Sequence, residues 1–227
     1  MSRVLLIGAG GLGCPAALAL LAAPAGLVSG LTLVDPDVVE LSNLHRQTLY
    51  TDADLGRPKV EAACDALHRL APTLPAVGIR ARLTADNAAA LLPGHAALIE
   101  GSDSIATKFL VNDLALRLGI PAVIGGVVRW SGQVLTVLPG RGMACYRCLF
   151  EEEPTGVPTC QEAGVLGPSC GVLGALLAAE ALRLLRSEVP RFAGAILTAD
   201  LLAGRFRRVP IAPRAGCPAC AACATTK

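Results

Sequence analysis

The sequence predicts an α/β fold built on a doubly wound, mostly parallel sheet that finishes in antiparallel strands. Three observations predict it. Short apolar runs recur at Arg3–Ile7, Leu31–Asp35, Val77–Ile79, Ala96–Ile99 and Ala122–Val127, with helical stretches between them. Glycines at positions 8, 10, 11 and 13 place G-x-G-x-x-G at the first strand-to-helix turn. Residues are 53% hydrophobic but only 3% aromatic, so the core must be mostly Ala, Leu and Val, as suits helices packed on a parallel sheet. At 227 residues the chain reads as one domain, 1–227, long enough to bury a core.

The first strand passes directly into Gly8, Gly10, Gly11 and Gly13. These glycines permit a tight turn and let backbone N–H groups approach a phosphate at the start of the next helix, expected to run to about Ala23. The second strand ends at Asp35, 22 positions after Gly13. An acid about 20 residues beyond the glycines can bind ribose hydroxyls. Strand, turn, helix, strand and acid together make a Rossmann-like nucleotide site. The chain then runs through Ser42, Asn43, Arg46 and Gln47, where the edge of an open sheet receives ligands. Arg suits a phosphate because its donors form a planar fork that is always charged.

Pro58 to Leu70 reads as a helix with Pro in its first turn. Among 20 cationic residues, Lys occurs only as Lys59, Lys108 and Lys227. Lys59 at a helix start is either a compact charge for phosphate or a solvated helix end. Thr84 and Asp86 open a helix that continues to Leu92. The fourth strand ends in Glu100, Gly101, Ser102, Asp103 and Ser104, just before a helix over Ile105–Leu118. Asp103 either caps that helix or, with substrate phosphates, holds Mg²⁺. A sixth strand, Gln133–Leu138, is expected to be antiparallel after a turn at Gly132. A helix over Gly171–Arg186 follows. Ala195–Asp200 and Arg205–Val209 form a hairpin around Ala203-Gly204.

Nine cysteines include two C-x-x-C pairs, Cys145/Cys148 and Cys217/Cys220. Two such pairs predict a tetrahedral Cys₄ zinc site, a clip tying a tail of about residues 211–223 to the body, with a redox motif or free buried thiols as the competing readings. Cys220 and Cys223 also form C-x-x-C, so the second pair has two possible registers. Between the pairs, a loop of about residues 150–171 is rich in Glu, Pro, Gly and Thr and carries Cys160 and Cys170. Long loops in compact domains are often functional.

A net charge of +2 argues against nucleic acid or an anionic membrane as partner. Met1 to Gly26 resembles a signal peptide, but it contains four turn glycines and leads into the second strand, so it is kept as the first strand and helix. Pro15, Pro24 and Gly26 break it as a membrane span, and no other uncharged apolar run of about 18 residues occurs. The expected location is the cytoplasm.

GAGGLG, VDPDVVELSNLHRQTLY, GRPKVEAA, GSDSIATKFLVND, CYRCLF and GCPAC occur in that order across nearly the whole chain. Together they resemble the ThiF/MoeB/HesA family, bacterial relatives of ubiquitin-activating enzymes. The resemblance implies ATP- and Mg²⁺-dependent adenylation of the C-terminal Gly-Gly carboxylate of a ubiquitin-like sulfur carrier, thiazole or molybdopterin type, with release of pyrophosphate. It also implies roles for residues in this sequence. Gly11 would approach the phosphates, and Asp35 would hold the ribose. Ser42, Asn43, Arg46 and Lys59 would line the triphosphate. Asp103 would hold Mg²⁺ beside Ser104, and Cys145, Cys148, Cys217 and Cys220 would hold structural zinc. Cys160 matches a loop cysteine that some relatives link covalently to the carrier.

The sequence also departs from that family. Relatives usually begin with a further helix whose Arg enters the partner subunit's ATP site, whereas this sequence starts at the first strand. Ser104 stands where the family usually has Asn. No sulfurtransferase domain follows the cysteine tail, so a separate sulfur donor is expected, and a homodimer is expected by likeness. The rival readings are an NAD-dependent Rossmann oxidoreductase, a catalytically impaired carrier-binding module, and a superfamily variant acting on a modified tRNA base.

Overall fold

A computed structural model describes residues 2–153 and 164–220. Its elements are β1 (Arg3–Ile7), α1 (Gly13–Leu21), β2 (Gly30–Val34), α2 (Lys59–Leu70), β3 (Ala76–Ile79), α3 (Ala85–Leu91), β4 (Ala97–Glu100) and α4 (Ile105–Leu118). They continue with β5 (Ala122–Val128), β6 (Ser131–Val137), α5 (Tyr146–Leu149), α6 (Gly167–Leu185), β7 (Ala195–Asp200) and β8 (Arg205–Pro210). The eight strands form one sheet in the order β3-β2-β1-β4-β5-β6-β7-β8. The first five run parallel, and β6, β7 and β8 are antiparallel. The order reverses beside β1, as it does where open α/β sheets bind ligands.

Successive side chains of a strand face opposite sides, so a central strand covered on both faces needs apolar residues throughout. In β1, Val4 and Leu6 join one core with α1, α2 and α6. Leu5 and Ile7 join the other, with α3, α4 and the Cys145–Tyr146 segment. On the first side α6 covers the antiparallel strands as well. It sits close because Gly132 has no side chain: a Cβ there would lie 1.8 Å from Leu173 Cδ1. Glu180 of α6, 2% exposed, accepts from Thr136 Oγ1 at 2.9 Å and from the Arg191 and Phe192 amides. Among the described residues α6 alone is long and apolar enough to cross a membrane; here it packs on the sheet.

On the second side the covering by described residues ends early. Leu135, Val137 and Ile196 are buried. Nearer the β5–β6 and β7–β8 turns the same face carries Ser131, Thr198, Arg205 and Arg207, all exposed.

Several boundaries differ from the sequence reading. The β5–β6 turn lies at Arg129–Trp130, because Val128 pairs with Ser131. Arg129 takes the positive φ of 51° that a two-residue hairpin needs at its first central position. Gly132 is therefore inside β6, where it serves packing rather than turning. Glu100 belongs to β4 rather than to the loop after it. Helix α6 begins at Gly167, four residues before the expected Gly171, with Pro168 in its first turn. The crossover loop is shorter by the same amount. Cys160 and Cys223 lie outside the described residues.

Candidate active site

A cavity of about 1180 Å³ opens at the carboxyl ends of β1, β2 and β4, with walls from Gly10, Gly11, Asp35, Arg46, Lys59 and Asp103. Ile7 ends β1, and the chain turns at once: Gly8 N donates to Val34 O at 2.9 Å. Asp35, only 6% exposed, holds this turn from the neighbouring strand. Its Oδ2 accepts from Ala9 N at 2.7 Å and its Oδ1 from Asp37 N at 2.9 Å. Burial pushes the Asp35 carboxyl above the ordinary Asp value, against the pull of Lys59 and of those two amides. Gly11 is needed for close approach, since a Cβ there would lie 2.8 Å from Cys170 Sγ and 3.5 Å from Arg46 Cδ. Gly13 does a different job. A Cβ on it would meet Gly8 O at 1.9 Å, so it seats α1 on the turn and does not line the cavity.

After β2, a single 3₁₀ turn, Leu41–Asn43, brings the next group in. Arg46 Nη1 donates to Ser42 O at 3.2 Å, and its Nη2 donates to Asn43 Oδ1. Asn43 is itself oriented by Glu40 Oε2 at 3.2 Å. The Ser42 hydroxyl turns away, donates to Glu40 at 3.4 Å and does not line the cavity. Gln47 is 3% exposed and lines the cavity, yet its Oε1 has no hydrogen-bond partner among the described residues. A buried acceptor left over in a cavity fits a ligand that donates to it. Lys59 starts α2 and is 6% exposed; its Nζ lies 2.9 Å from Asp37 Oδ2.

The third group follows β4. Ser104, not Asp103, caps α4, accepting from Thr107 N at 3.2 Å. The exposed Asp103 carboxylate is thereby free of the cap and stands on the cavity wall. A lone carboxylate beside a space for phosphates fits Mg²⁺, which keeps several waters and takes few protein ligands.

Sequence reasoning missed what holds this segment. Lys108 Nζ binds Glu100 Oε2 at 2.5 Å, Ser102 O at 2.7 Å and Gly125 O at 2.7 Å. The other oxygen of Glu100 accepts from Ser102 N at 2.9 Å and from the Ser102 hydroxyl. Burial raises the Glu100 carboxyl above its usual range, and Lys108 opposes that. The signal was the rarity of Lys: Lys108 is a second ammonium placed on the inner face of a helix. Arg80, Arg82, Arg205 and Arg207 also line the cavity, and nothing local in the sequence marked them.

Away from the cavity, Cys145, Cys148, Cys217 and Cys220 bring their sulfurs within 4.8 Å of one another. Three separations are 3.9, 3.7 and 3.5 Å. Tetrahedral zinc with Zn–S of about 2.3 Å sets sulfurs roughly 3.8 Å apart, so the cluster fits that ion. Among the described residues the second pair is Cys217 and Cys220. Burial pushes the Cys217 thiol up, but N–H groups of Cys220 and Ala219 aimed at the sulfur bring it down to about 7. The first pair is latched to α4. Asn112 Oδ1 accepts from Tyr146 N at 2.8 Å, and Arg147 Nε pairs with Asp113 at 2.8 Å. The Arg147 guanidinium also lies 4.8 Å from the centre of the Phe109 ring.

Comparison with known proteins agrees with this arrangement. The chain is 41% identical over 225 residues to the sulfur carrier protein adenylyltransferase of Thermus thermophilus, covering 96% of this chain and 82% of that one. It is 39% identical over 219 residues to the molybdopterin-synthase adenylyltransferase of Escherichia coli K12, covering 96% and 87%. A crystal structure of E. coli MccB with ATP superposes with a TM-score of 0.83 at 19% identity, over 97% of this chain and 67% of that one, a likeness of fold. The ThiF family model matches residues 1–219, and the chain belongs to the ThiF family.

Proposed function

We propose that this chain is an ATP-dependent adenylyltransferase that activates the C-terminal carboxylate of a ubiquitin-like sulfur-carrier protein and releases pyrophosphate. The observation that carries the reading is the single cavity in which a glycine turn, Arg46, Lys59 and Asp103 meet. They come from three separate loops, and adenylation gives them one common task. An NAD-dependent oxidoreductase would use the glycines and Asp35 but gives the other three residues no shared role.

The chemistry asks little of a side-chain base. A terminal carboxylate is already ionised at neutral pH, so no proton has to be removed. One of its oxygens attacks the α-phosphorus. A new O–P bond forms as the bond from that phosphorus to the bridging oxygen breaks, and the electron pair leaves with pyrophosphate. Two anions approach each other in this step, and Arg46 and Lys59 offset the repulsion. Asp37, paired with Lys59, holds the ammonium in place until phosphate competes for it. Asp103 would hold Mg²⁺, and the ion would supply positive charge against the charge that develops on the leaving pyrophosphate. Asp35 keeps its two backbone bonds and turns its remaining acceptor capacity toward ribose. Gln47 joins the assigned set as an acceptor for the nucleotide.

The finer parts of the reading have separate supports. Structural zinc is supported by the sulfur separations. Cys14, Cys64, Cys145, Cys148, Cys217 and Cys220 carry no disulfide, which suits a reducing cytoplasmic setting. A homodimer, a separate sulfur donor and a covalent role for Cys160 rest on family likeness alone.

The test is ATP–pyrophosphate exchange against a panel of purified Gly-Gly-ended carriers. One carrier should support exchange, and Asp103→Ala should lower it by about a hundredfold or more with the fold intact. Full exchange in that variant would remove Asp103 from the mechanism.

A further inference from the structure

We propose that His45 is a positioning residue whose ring nitrogen Nε2 serves two partners in turn: Arg46 before phosphate binds, and the Val165 carbonyl once phosphate has drawn Arg46 away. Nucleotide binding is thereby passed to the chain that enters α6. The inference rests on the adenylation reading, since it takes Arg46 as a phosphate ligand.

Nε2 of His45 lies 3.4 Å from Arg46 Nη1 and 3.3 Å from Val165 O. These two contacts exclude each other. A guanidinium only donates, so Arg46 needs a lone pair on Nε2. A carbonyl only accepts, so Val165 needs a proton there. One nitrogen of a neutral imidazole offers one or the other. Both separations exceed the ordinary N–H···O length of about 2.9 Å, as fits a nitrogen shared between incompatible partners. The Arg46 side of the contact is the one that can yield. Arg46 Nη1 also donates to Ser42 O at 3.2 Å, and Nη2 donates to Asn43 Oδ1, so the contact with His45 is the longest of the three. A phosphate oxygen is a better acceptor for a guanidinium than a neutral ring nitrogen, because both sides of the bond are then charged. When phosphate takes that N–H, water exchanges the ring proton. One proton leaves Nδ1, one joins Nε2, and the charge of the ring is unchanged.

Val165 is where the exchange is felt. It lines the cavity, whereas His45 does not. Residues 164–166 lie against the β5–β6 turn: Arg129 N donates to Gly164 O at 2.9 Å, and Leu166 N donates to Arg129 O at 3.3 Å. In this parallel bridge Val165 points its own C=O away from Arg129, and that carbonyl meets His45. Two residues on, α6 begins at Gly167, which abuts the same histidine: a Cβ there would lie 2.4 Å from His45 O. Within the first turn of α6, Cys170 Sγ lies 2.8 Å from where a Cβ on Gly11 would be. Contacts therefore run from Arg46 through His45 and Val165 into α6, and back to the glycine turn. A bond from His45 to Val165 fixes this part of the wall after the nucleotide has entered.

The experiment reads the ring directly. The whole chain is labelled with ¹⁵N at histidine and held at about pH 8.5, where ordinary imidazoles are neutral and the tautomer decides the shifts. The chain has three His, so His45→Gln identifies the signals of His45 by their loss. Saturating Mg²⁺ and a non-hydrolysable ATP analogue should move Nε2 of His45 from the unprotonated to the protonated shift. The Arg129 and Leu166 amides should exchange with solvent about fivefold more slowly in the bound state, and His45→Ala should lose that slowing. Binding of the analogue with an unchanged His45 tautomer, or slowing that persists in His45→Ala, would overturn the proposal and leave adenylation standing. Failure of the analogue to bind at all would end both. A tautomer change without pyrophosphate exchange for any carrier would keep the His45 exchange and remove the reaction.

Discussion

Two ion pairs compare the two halves of the sheet. Glu100–Lys108 closes the parallel half, at 0% and 7% side-chain exposure. Asp200–Arg205 closes the antiparallel half, at 39% and 60%. Both join an acid at a strand end to a cation a few residues on. Among the described residues only the first is walled in by helices, and that changes its meaning. In the covered half water cannot replace a lost partner, so the pair and its hydrogen bonds form one unit that fixes the loop bearing Asp103. In the bare half water replaces either partner, and salt screens the attraction. The covered half builds a rigid nucleotide rim. The bare half keeps its charges exchangeable.

Removing one member of the covered pair gives the largest effect. Lys108→Ala should destabilise the chain by about 3–5 kcal/mol in denaturant unfolding, because Glu100 is left charged and unpaired. Adding Glu100→Gln should recover part of the loss, which it would not if Lys108 acted only by packing. Arg205→Ala should leave the unfolding midpoint unchanged. A large drop there would show that the bare half is covered in solution by something else.

The smallest effect concerns His95, again in the covered half. Its Nε2 lies 2.9 Å from Thr32 Oγ1 and its Nδ1 3.1 Å from Leu92 O. Burial, aided by Arg3 and opposed by the Leu92 carbonyl, holds its pKa below the ordinary 6.5. The unfolded chain therefore binds a proton first as pH falls. The stabilisation from His95 is present above about pH 6.5 and is lost as pH drops through the lower folded value. His95→Gln should flatten the acid limb of the stability curve; an unchanged limb would assign that limb to the carboxylates.

Much of the site was legible because its parts are contiguous. The glycine turn, Asp35, the run from Asn43 to Gln47, Lys59 after Pro58 and the C-x-x-C pairs each declare themselves within a few residues. What was not legible depends on residues far apart in sequence. Glu100 reads as a loop acid until Lys108 and Gly125 close around it. Gly132 reads as a turn until Leu173 occupies the space beside it. Asp103 and Ser104 are equally good caps by type, and backbone placement, not composition, gave the cap to Ser104. Ser42 has the right chemistry, but the 3₁₀ turn sends its hydroxyl to Glu40.

The sulfur cluster has a consequence for the half that burial protects least. Cys145 and Cys217 are 72 positions apart, and the chain between them includes α6, β7 and β8. An ion bound by all four thiolates would turn that stretch into a closed hoop. By the entropy of loop closure, a cross-link of this span removes about 4 kcal/mol of freedom from the unfolded chain. The antiparallel half would then owe its persistence to topology, and oxidants that strip the sulfurs would loosen it.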